Sequence, residues 1–555
     1  MILEKIKIII AEELGIDKSE LIYPIDNKLG DFSLPLFKIA KIEKISPVEI
    51  GQKMIDKILD NKKLEEIILS SEVVGGYLNF FIKPSYLIEQ ILREINNKKN
   101  KYGQNDLGQK EVTIFEFSNV NTHKDFHIGH LRNIAFGQSI CNIFSANGFE
   151  AYPVSYINDF GIHAAKTIWS YKNNFSKSLG ECYSNTVKEV EQNPDIAKEI
   201  SDIMADIEAR QGINYKIWQK TKKISLQNFS DIYKKLNIKF KKTYFESQVI
   251  DKGLEMVDSF IEKKILKKSE GAIIANLEEY NLGVLPVIRS DGTALYPVAD
   301  FALAEKKFRD FKGLKNSYVV VDVRQSLHFK QLFKVLSLAG YQQNFVHLPY
   351  EFITLPDGMM SSRSGNSISF NDLYKKVLDK LIKETKVRHA DWSDRRVKKN
   401  SEKLTIAILK FEMLKVSANK IITFDIEEAI KFEGFNALYV LYGLVRIKSI
   451  LKKVKFNNSL KINFSLLDNK LEKDLSIKLA KYPEIIIKSK GESDPSEISK
   501  YLFELFKMFN EYYQNVNILQ SDKEVKRARL FFIKSISQVA ENALELLGII
   551  SVNEI

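Results

Sequence analysis

Val112-Thr113-Ile114-Phe115-Glu116-Phe117 is followed by a short loop, by His127-Ile128-Gly129-His130, and by an apolar run to Ala146 that stops at Gly148. The first hexapeptide reads as a buried strand and the run from His127 to Ala146 as a helix. That helix is apolar over most of its circumference, as a helix packed deep in an α/β domain must be. Three of the seven histidines, His123, His127 and His130, fall within eight residues at the turn from strand to helix. A helix N-terminus presents free N–H groups and a positive dipole end, which suits an anion. Gly129 lets a ligand approach the backbone, and imidazoles at i and i+3 share a face. Spacing alone leaves three readings open: a polyphosphate site, surface histidines at a helix cap, or an HxxH metal pair. The metal reading lacks a third ligand and the HExxH pattern.

Working outward, Tyr152 to Ile157 reads as a second strand running into Asn158-Asp159-Phe160-Gly161. Residues 172–265 are helical in pattern, polar and Lys/Glu-rich, and read as an insertion. The α/β pattern resumes at Tyr318-Val319-Val320-Val321, followed by a helix from Leu327 to Leu338 that ends at Gly340. Strand, loop and helix repeated around an insertion predict a doubly wound parallel sheet. From about residue 400 helical patterns dominate, as in a bundle. Upstream, Val73 to Ile82 reads as two strands around Gly75-Gly76, and the polar stretch 96–106 as a linker. A chain of 555 residues exceeds one hydrophobic core. The expected domains are 1–108, 109–375 with the insertion at about 172–265, a connecting helical segment 376–420, and 421–555.

The composition, 45% hydrophobic and 28% charged, is that of globular protein. The net charge of +12 suits a polyanionic partner, although a Lys-, Ile- and Asn-rich composition gives the same excess without any selection for binding. The two cysteines, Cys141 and Cys182, form no CxxC, so a reducing cytoplasmic setting is expected and a structural zinc is not. Met1 to Lys7 has charges within its apolar run and reads as an amphipathic helix rather than a signal peptide. The longest apolar stretch found, Ala437 to Val445, is too short to span a membrane.

The block Glu116-Phe117-Ser118-Asn119-Val120-Asn121-Thr122-His123-Lys124-Asp125-Phe126-His127-Ile128-Gly129-His130 resembles, in order and spacing, the signature of arginyl-tRNA synthetases, with its HIGH-type motif of class I enzymes. Further blocks agree along the chain: Asn158 to Gly161, Phe245-Glu246-Ser247, Asp291 to Asp300, and Asp322-Val323-Arg324-Gln325-Ser326-Leu327-His328-Phe329. The resemblance covers almost the whole chain. It implies a class I Rossmann-type parallel-sheet catalytic domain, an α+β N-terminal domain that binds tRNA, and an all-α C-terminal anticodon-binding domain.

The resemblance also implies chemistry and ligands. His127, Gly129, His130, Lys124 and His328 are expected to bind ATP, joined by Met360, Ser361 and Arg363 of a KMSK-type loop. Asn121, Glu246, Tyr296, Asp300 and Gln325 are expected to bind arginine. Their residue types fit, because a guanidinium is a planar, permanently charged fork that needs carboxylates and an aromatic surface. The KMSK-type stretch departs from the pattern: Met359 and Ser364 stand where lysines would be, leaving Arg363 as its only cation. In this family a lysine just before the HIGH-type motif is held to compensate, and Lys124 sits there. His127, Gly129, His130, Lys124 and Arg363 are therefore the expected catalytic group. The implied reaction forms arginyl-adenylate and pyrophosphate with Mg²⁺ accompanying ATP, and then esterifies the 2′-hydroxyl of the terminal adenosine of tRNA(Arg), with tRNA bound first. Candidate tRNA contacts are Tyr77 and Asn79 near the N-terminus and Tyr439, Tyr442, Tyr512 and Arg527 near the C-terminus. For these aromatics a place in the core competes with stacking on bases. The expected partners are tRNA(Arg), L-arginine and ATP, with no membrane and no resident metal, for a monomeric cytoplasmic protein.

Competing readings are weaker. A cysteinyl enzyme would want zinc-binding cysteines, and a glutamyl or glutaminyl enzyme would not want two acids in its pocket. A catalytically dead, synthetase-like RNA-binding protein has only the altered KMSK-type loop in its favour. No GxGxxG turn after a strand and no GxxxxGK[ST] motif is present.

Overall fold

The computed structural model describes residues 2–173, 178–356, 358–359, 368–454, 456 and 462–555. The chain opens with a helix, Ile2–Leu14, that buries Leu3, Ile6, Ile10 and Leu14 on one face, as its amphipathic spacing predicts. It packs in a small α+β unit whose antiparallel sheet is ordered β1-β3-β2, with β1 at Phe32–Pro35, β2 at Ile68–Val74 and β3 at Tyr77–Ile82. Gly75 and Gly76 make the β2–β3 turn at φ of 56° and 84°, in the left-handed region that glycine enters without penalty.

The central unit is a five-stranded parallel sheet in the order β11-β10-β4-β5-β6. Its strands are β4 Val112–Glu116, β5 Glu150–Ile157, β6 Lys242–Phe245, β10 Leu314–Asp322 and β11 Asn344–Tyr350. Successive strands run outward from β4 to the β6 edge, and the chain then returns to place β10 on the other side of β4. The strand order therefore reverses between β4 and β10. In open α/β sheets the crevice at such a reversal, outside the carboxyl ends of the strands, is where ligands bind. Between β6 and β10 lies an antiparallel side sheet of β7 Lys267–Ser269, β8 Ala272–Asn276 and β9 Val284–Ile288.

The insertion is shorter than its composition suggests. Helices fill Leu179–Gln192, Ile196–Glu208 and Gly212–Lys235, but Lys242–Phe245 is already the edge strand of the main sheet. The helix Ile250–Glu262 then packs on the helix Tyr296–Asp310. A four-residue edge strand that begins on the second of two lysines carries too little apolar periodicity to stand out from a helical stretch. The stretch 96–106 is also more ordered than a linker. The preceding helix runs on to Lys98, Tyr102 is buried, and its hydroxyl donates to Leu479 O at 3.0 Å.

After β11 come β12 Ile353–Leu355 and β13 Gly358–Met359, which pair with each other, while β14 Ile422–Thr423 pairs with β12. The helices Phe370–Arg388 and Asp394–Leu414 pack together and lead to the C-terminal bundle, whose longest helices are Ala437–Val454, Ser496–Asn515 and Lys523–Leu546. That bundle is seated on the helix Ile128–Ala146. Ser139 Oγ donates to Leu546 O at 2.9 Å and Asn142 Nδ2 to Glu545 O at 3.0 Å. The buried Lys410 donates to Gln138 Oε1 at 2.6 Å and to Gly548 O at 2.7 Å. Among the described residues no helix is long and apolar enough to cross a membrane.

Arg132, on the same Ile128–Ala146 helix, is almost fully buried, and its guanidinium bonds backbone carbonyls and lies 5.9 Å from the centre of the Tyr350 ring. It donates to Phe352 O at 2.9 Å, Ala418 O at 3.1 Å and Lys420 O at 2.8 Å. It thus ties the helix to the chain just before β12 and to the turn before β14. Arg132→Met would leave these carbonyls without donors, at about 1–3 kcal/mol each where water does not replace the guanidinium. We expect the urea midpoint of the central unit to fall correspondingly, and an unchanged midpoint would show that the bonds contribute nothing.

Candidate active site

Four loops meet at the carboxyl ends of the parallel strands: residues 117–127 after β4, 158–161 after β5, 246–248 after β6 and 323–325 after β10. The reversal crevice lies between the first and the last. Asn133, one turn into the Ile128–Ala146 helix, ties its two sides together. Its Oδ1 accepts from Ser118 N at 2.5 Å and its Nδ2 donates to Val320 O at 2.6 Å.

The loop after β4 is held in a conformation that the local sequence disfavours. Ser118 and His123 both have positive φ, 62° and 65°, without being glycine. Such residues persist only where surrounding contacts over-determine them. The insertion helix Gly212–Lys235 supplies those contacts. Ser225 Oγ accepts from His123 N at 2.9 Å, Thr221 Oγ1 lies 2.8 Å from His123 Nε2, and Tyr233 bonds Ser118 Oγ at 2.8 Å. His123 is thus a buried structural residue, and burial pushes its imidazole down to about 3. It sits in the wall of the site.

His127 and His130 stand at the helix start that faces the crevice. His127 caps the helix, its Nδ1 accepting from Gly129 N at 3.1 Å, and its own backbone N–H donates to His130 Nδ1 at 3.2 Å. The rings stack at 3.7 Å between centroids. Burial, and then the charges of Lys124 and Arg324, push His127 down to about 4. Burial, His127 and Lys124 hold His130 well below the usual range. Both rings are therefore neutral at pH 7. With each Nδ1 accepting, the proton sits on Nε2. The helix start thus offers neutral N–H donors without a desolvated positive charge. Lys124 Nζ lies 4.5 Å from the centre of the Tyr183 ring on the helix Leu179–Gln192. Met360, Ser361 and Arg363, with Ser364 and the side chain of Met359, lie outside the described residues.

The acidic half is built at β5, β6 and the helix Tyr296–Asp310. Four carboxylates act on the Tyr156 hydroxyl, which burial and then Glu246, Asp300, Glu116 and Asp159 push well above its usual range. Three of the four have a cationic or ring N–H partner: Glu116 pairs with Lys307, Asp159 with Lys222, and Asp300 with His328 Nε2 at 2.9 Å. Glu246 is the exception. It is buried, its Oε2 has no hydrogen-bond partner among the described residues, and burial with the charges of Asp159 and Asp300 pushes it up to about 8. An acid left this way is poised for a cation that the described residues do not supply. Tyr296 opens its helix, is 69% exposed, and lies within the field of Glu246, Asp300 and Tyr183.

The two halves are adjacent. Asn121 forms a parallel bridge with Asn158 beside the Asp159 turn. Gln325, exposed, stands between Arg324, whose charge acts on His127, and the helix carrying His328, which bonds Asp300. Arg324 itself is gripped by Asp322, donating from Nε at 3.1 Å and from Nη2 at 2.8 Å. Tyr156, Asp159, Lys222 and Arg324 escaped the sequence reading of the site. Only the run of motif blocks around Asp159 and Arg324 could have drawn attention to two of them.

Residues 90–425 match the family model described as tRNA synthetases class I (R), catalytic domain. The chain belongs to the arginyl-tRNA synthetase family. Its first 82 residues match the arginyl tRNA synthetase N-terminal domain, and residues 440–555 the DALR anticodon binding domain. The arginine–tRNA ligases of Borrelia turicatae and Clostridium acetobutylicum are 32% and 31% identical to it. The first pairing covers 97% of this chain and 95% of the relative, the second 96% and 95%. The fold is that of the arginyl-tRNA synthetase of Thermus thermophilus, with a TM-score of 0.74 at 23% identity over 100% of this chain and 99% of that one.

In this chain the expected RNA contacts divide by burial. Asn79 faces inward on the central strand of the small sheet and accepts from Ser33 Oγ at 2.5 Å, so it presents nothing to a partner. Tyr77 is 37% exposed, edge-on to Phe37. Tyr512 is fully buried and its hydroxyl donates to Glu472 Oε1 at 2.8 Å, so it belongs to the core. Its neighbour Tyr513, turned about 100° around the helix, is at the surface. There Arg446 lies 4.6 Å from the Tyr513 ring and 4.9 Å from that of Tyr442. Tyr439 is half-buried against Phe503, and Arg527 bonds Glu524.

Proposed function

We propose that this chain activates L-arginine with ATP and transfers the arginyl group to the 2′-hydroxyl of the terminal adenosine of tRNA(Arg). The observation that carries the reading is the buried Glu246 carboxylate, whose Oε2 has no hydrogen-bond partner among the described residues, set beside Asp300, across a crevice from a helix start crowned by two neutral imidazoles. The guanidinium meets Glu246 and Asp300 with Tyr296 alongside, and Asn121 and Gln325 hold the amino acid's other end. The amino-acid carboxylate attacks the α-phosphorus of ATP, the bond to the β-phosphate oxygen breaks, and pyrophosphate leaves with the negative charge. The Nε2–H groups of His127 and His130, the helix dipole, and Lys124 with Arg363 stabilise the charge that develops. Mg²⁺ enters as the counter-ion of the ATP phosphates. Little covalent work falls to the protein, which contributes positioning and electrostatics.

The exposed Tyr442–Arg446–Tyr513 cluster suits stacking on unpaired bases of the tRNA, with Tyr77 a further contact at the other end of the chain. The test is amino-acid-dependent ATP–pyrophosphate exchange with each of the twenty amino acids, with and without tRNA. We expect exchange with arginine alone. Exchange with another amino acid, or none when tRNA is present, would overturn the reading; the latter is what a catalytically dead RNA-binding relative would give.

A further inference from the structure

We propose that Asp159, paired with Lys222, is a positioning residue that fixes the Glu246 turn and sets how readily that carboxylate takes up the guanidinium of arginine. The proposal rests on the arginine pocket assigned above. Asp159 lies in the loop after β5, is completely buried, and bonds two other segments, the Glu246 turn and the insertion helix. Its Oδ1 accepts from Ser247 N at 2.9 Å and its Oδ2 from Ser247 Oγ at 2.6 Å, so one carboxylate clamps both donors of the residue next to Glu246. Its backbone carbonyl accepts from Trp218 Nε1 at 2.8 Å. Its side chain pairs with Lys222 of the same helix, whose ammonium lies 4.7 Å from the Trp218 ring and 4.7 Å from that of Phe245. Its neighbour Asn158 bridges Asn121. One short turn thereby joins the Asn121 loop, the Glu246 turn and the insertion helix.

The same carboxylate also acts through space. After burial itself, Asp159 is the largest influence holding a proton on Glu246, ahead of Asp300. Tyr156 on β5 and Tyr296 on the helix Tyr296–Asp310 also face Glu246. Lys222 reaches Ser247 Oγ at 3.4 Å, and His328 faces the pocket through Asp300. An incoming guanidinium must displace the Glu246 proton. The negative charge of Asp159 raises the pH at which that happens, while its hydrogen bonds hold the carboxylate where the fork arrives. Clamp and charge are separable by substitution.

Asp159→Asn keeps an acceptor for Ser247 and removes the charge. In the full chain, the KM for arginine in ATP–pyrophosphate exchange should respond to pH with a midpoint lower than wild type by roughly half a unit or more, and the KM for ATP should stay within about twofold. Ser247→Ala keeps the charge and removes one clamp bond. It should raise the KM for arginine by roughly 3–10-fold at pH 9, where Glu246 is ionised, with the midpoint and the KM for ATP unmoved. An unshifted midpoint in Asp159→Asn, or both KM values rising together, would overturn the proposal. Should Asp159→Asn not fold, a wild-type KM for arginine in Ser247→Ala overturns it alone. Glu246→Gln separates the two levels: if it leaves the KM for arginine unchanged, the pocket assignment itself is wrong, whereas a raised KM with null results at positions 159 and 247 removes only this inference.

Discussion

Glu246→Gln is expected to raise the KM for arginine by about 10–100-fold at pH 9 and to leave the KM for ATP unchanged. The magnitude follows from removing one charge-assisted hydrogen bond in a buried site, worth about 1.5–3 kcal/mol. The pH dependence carries more information than the size. Burial, Asp159 and Asp300 hold the free carboxylate up to about 8. Below that pH the acid is mostly protonated, and arginine binding must expel the proton. The wild-type KM should therefore fall as pH rises, by nearly tenfold per unit well below 8, and level off above it. The amide has no proton to expel, so the variant's KM should be flat across the same window. The penalty for the substitution is accordingly largest at high pH and shrinks toward pH 6. Steady-state exchange kinetics from pH 6 to 9 would show this, and a variant that tracks the wild-type pH profile would sink the role given to Glu246.

Lys124→Ala is expected to slow arginine activation by about 10²-fold in kcat, the size found when one preorganised charge-stabilising donor is removed, with the KM for arginine unmoved. Two features of the site make Lys124 important. The imidazoles of His127 and His130 are neutral, so they supply dipoles and no net charge. The KMSK-type stretch carries a single cation, Arg363. Pyrophosphate leaves with several negative charges, and one arginine is a thin counterweight. Lys124 rests against the Tyr183 face, a weak cation–π contact of about 0.5–1 kcal/mol, readily exchanged for a phosphate. Single-turnover measurement of adenylate formation is the check, and an unchanged rate would leave the phosphate work to the loop alone.

Much of this protein was legible before folding was considered. The strand at Val112, the helix from His127 and the strand at Tyr318 are long, strongly patterned elements, and each is where its apolar periodicity places it. The charge and composition were compatible with nucleic acid and decided nothing. Burial separated residues that local sequence could not. Asn79, and Tyr512 as against Tyr513, are distinguished only by which face of a strand or helix meets the core. The edge strand at Lys242 was invisible because an edge strand of four residues needs its neighbour, β5, to exist at all.

By itself the sequence determined the strand at Val112, the helix that follows it and the histidines at that helix's start, because capping and periodicity are properties of neighbouring residues; the residues proposed for the arginine pocket came from the resemblance of motif blocks. Tertiary structure alone decided which of four carboxylates has no cationic or ring N–H partner among the described residues. Glu116, Asp159, Glu246 and Asp300 are equivalent acids on paper; Lys307, Lys222 and His328 come from distant segments and engage three of them. The fourth is left buried with one oxygen unpartnered among the described residues, and a carboxylate in that state has a high affinity for a cation because neither water nor the neighbouring groups compensate its charge.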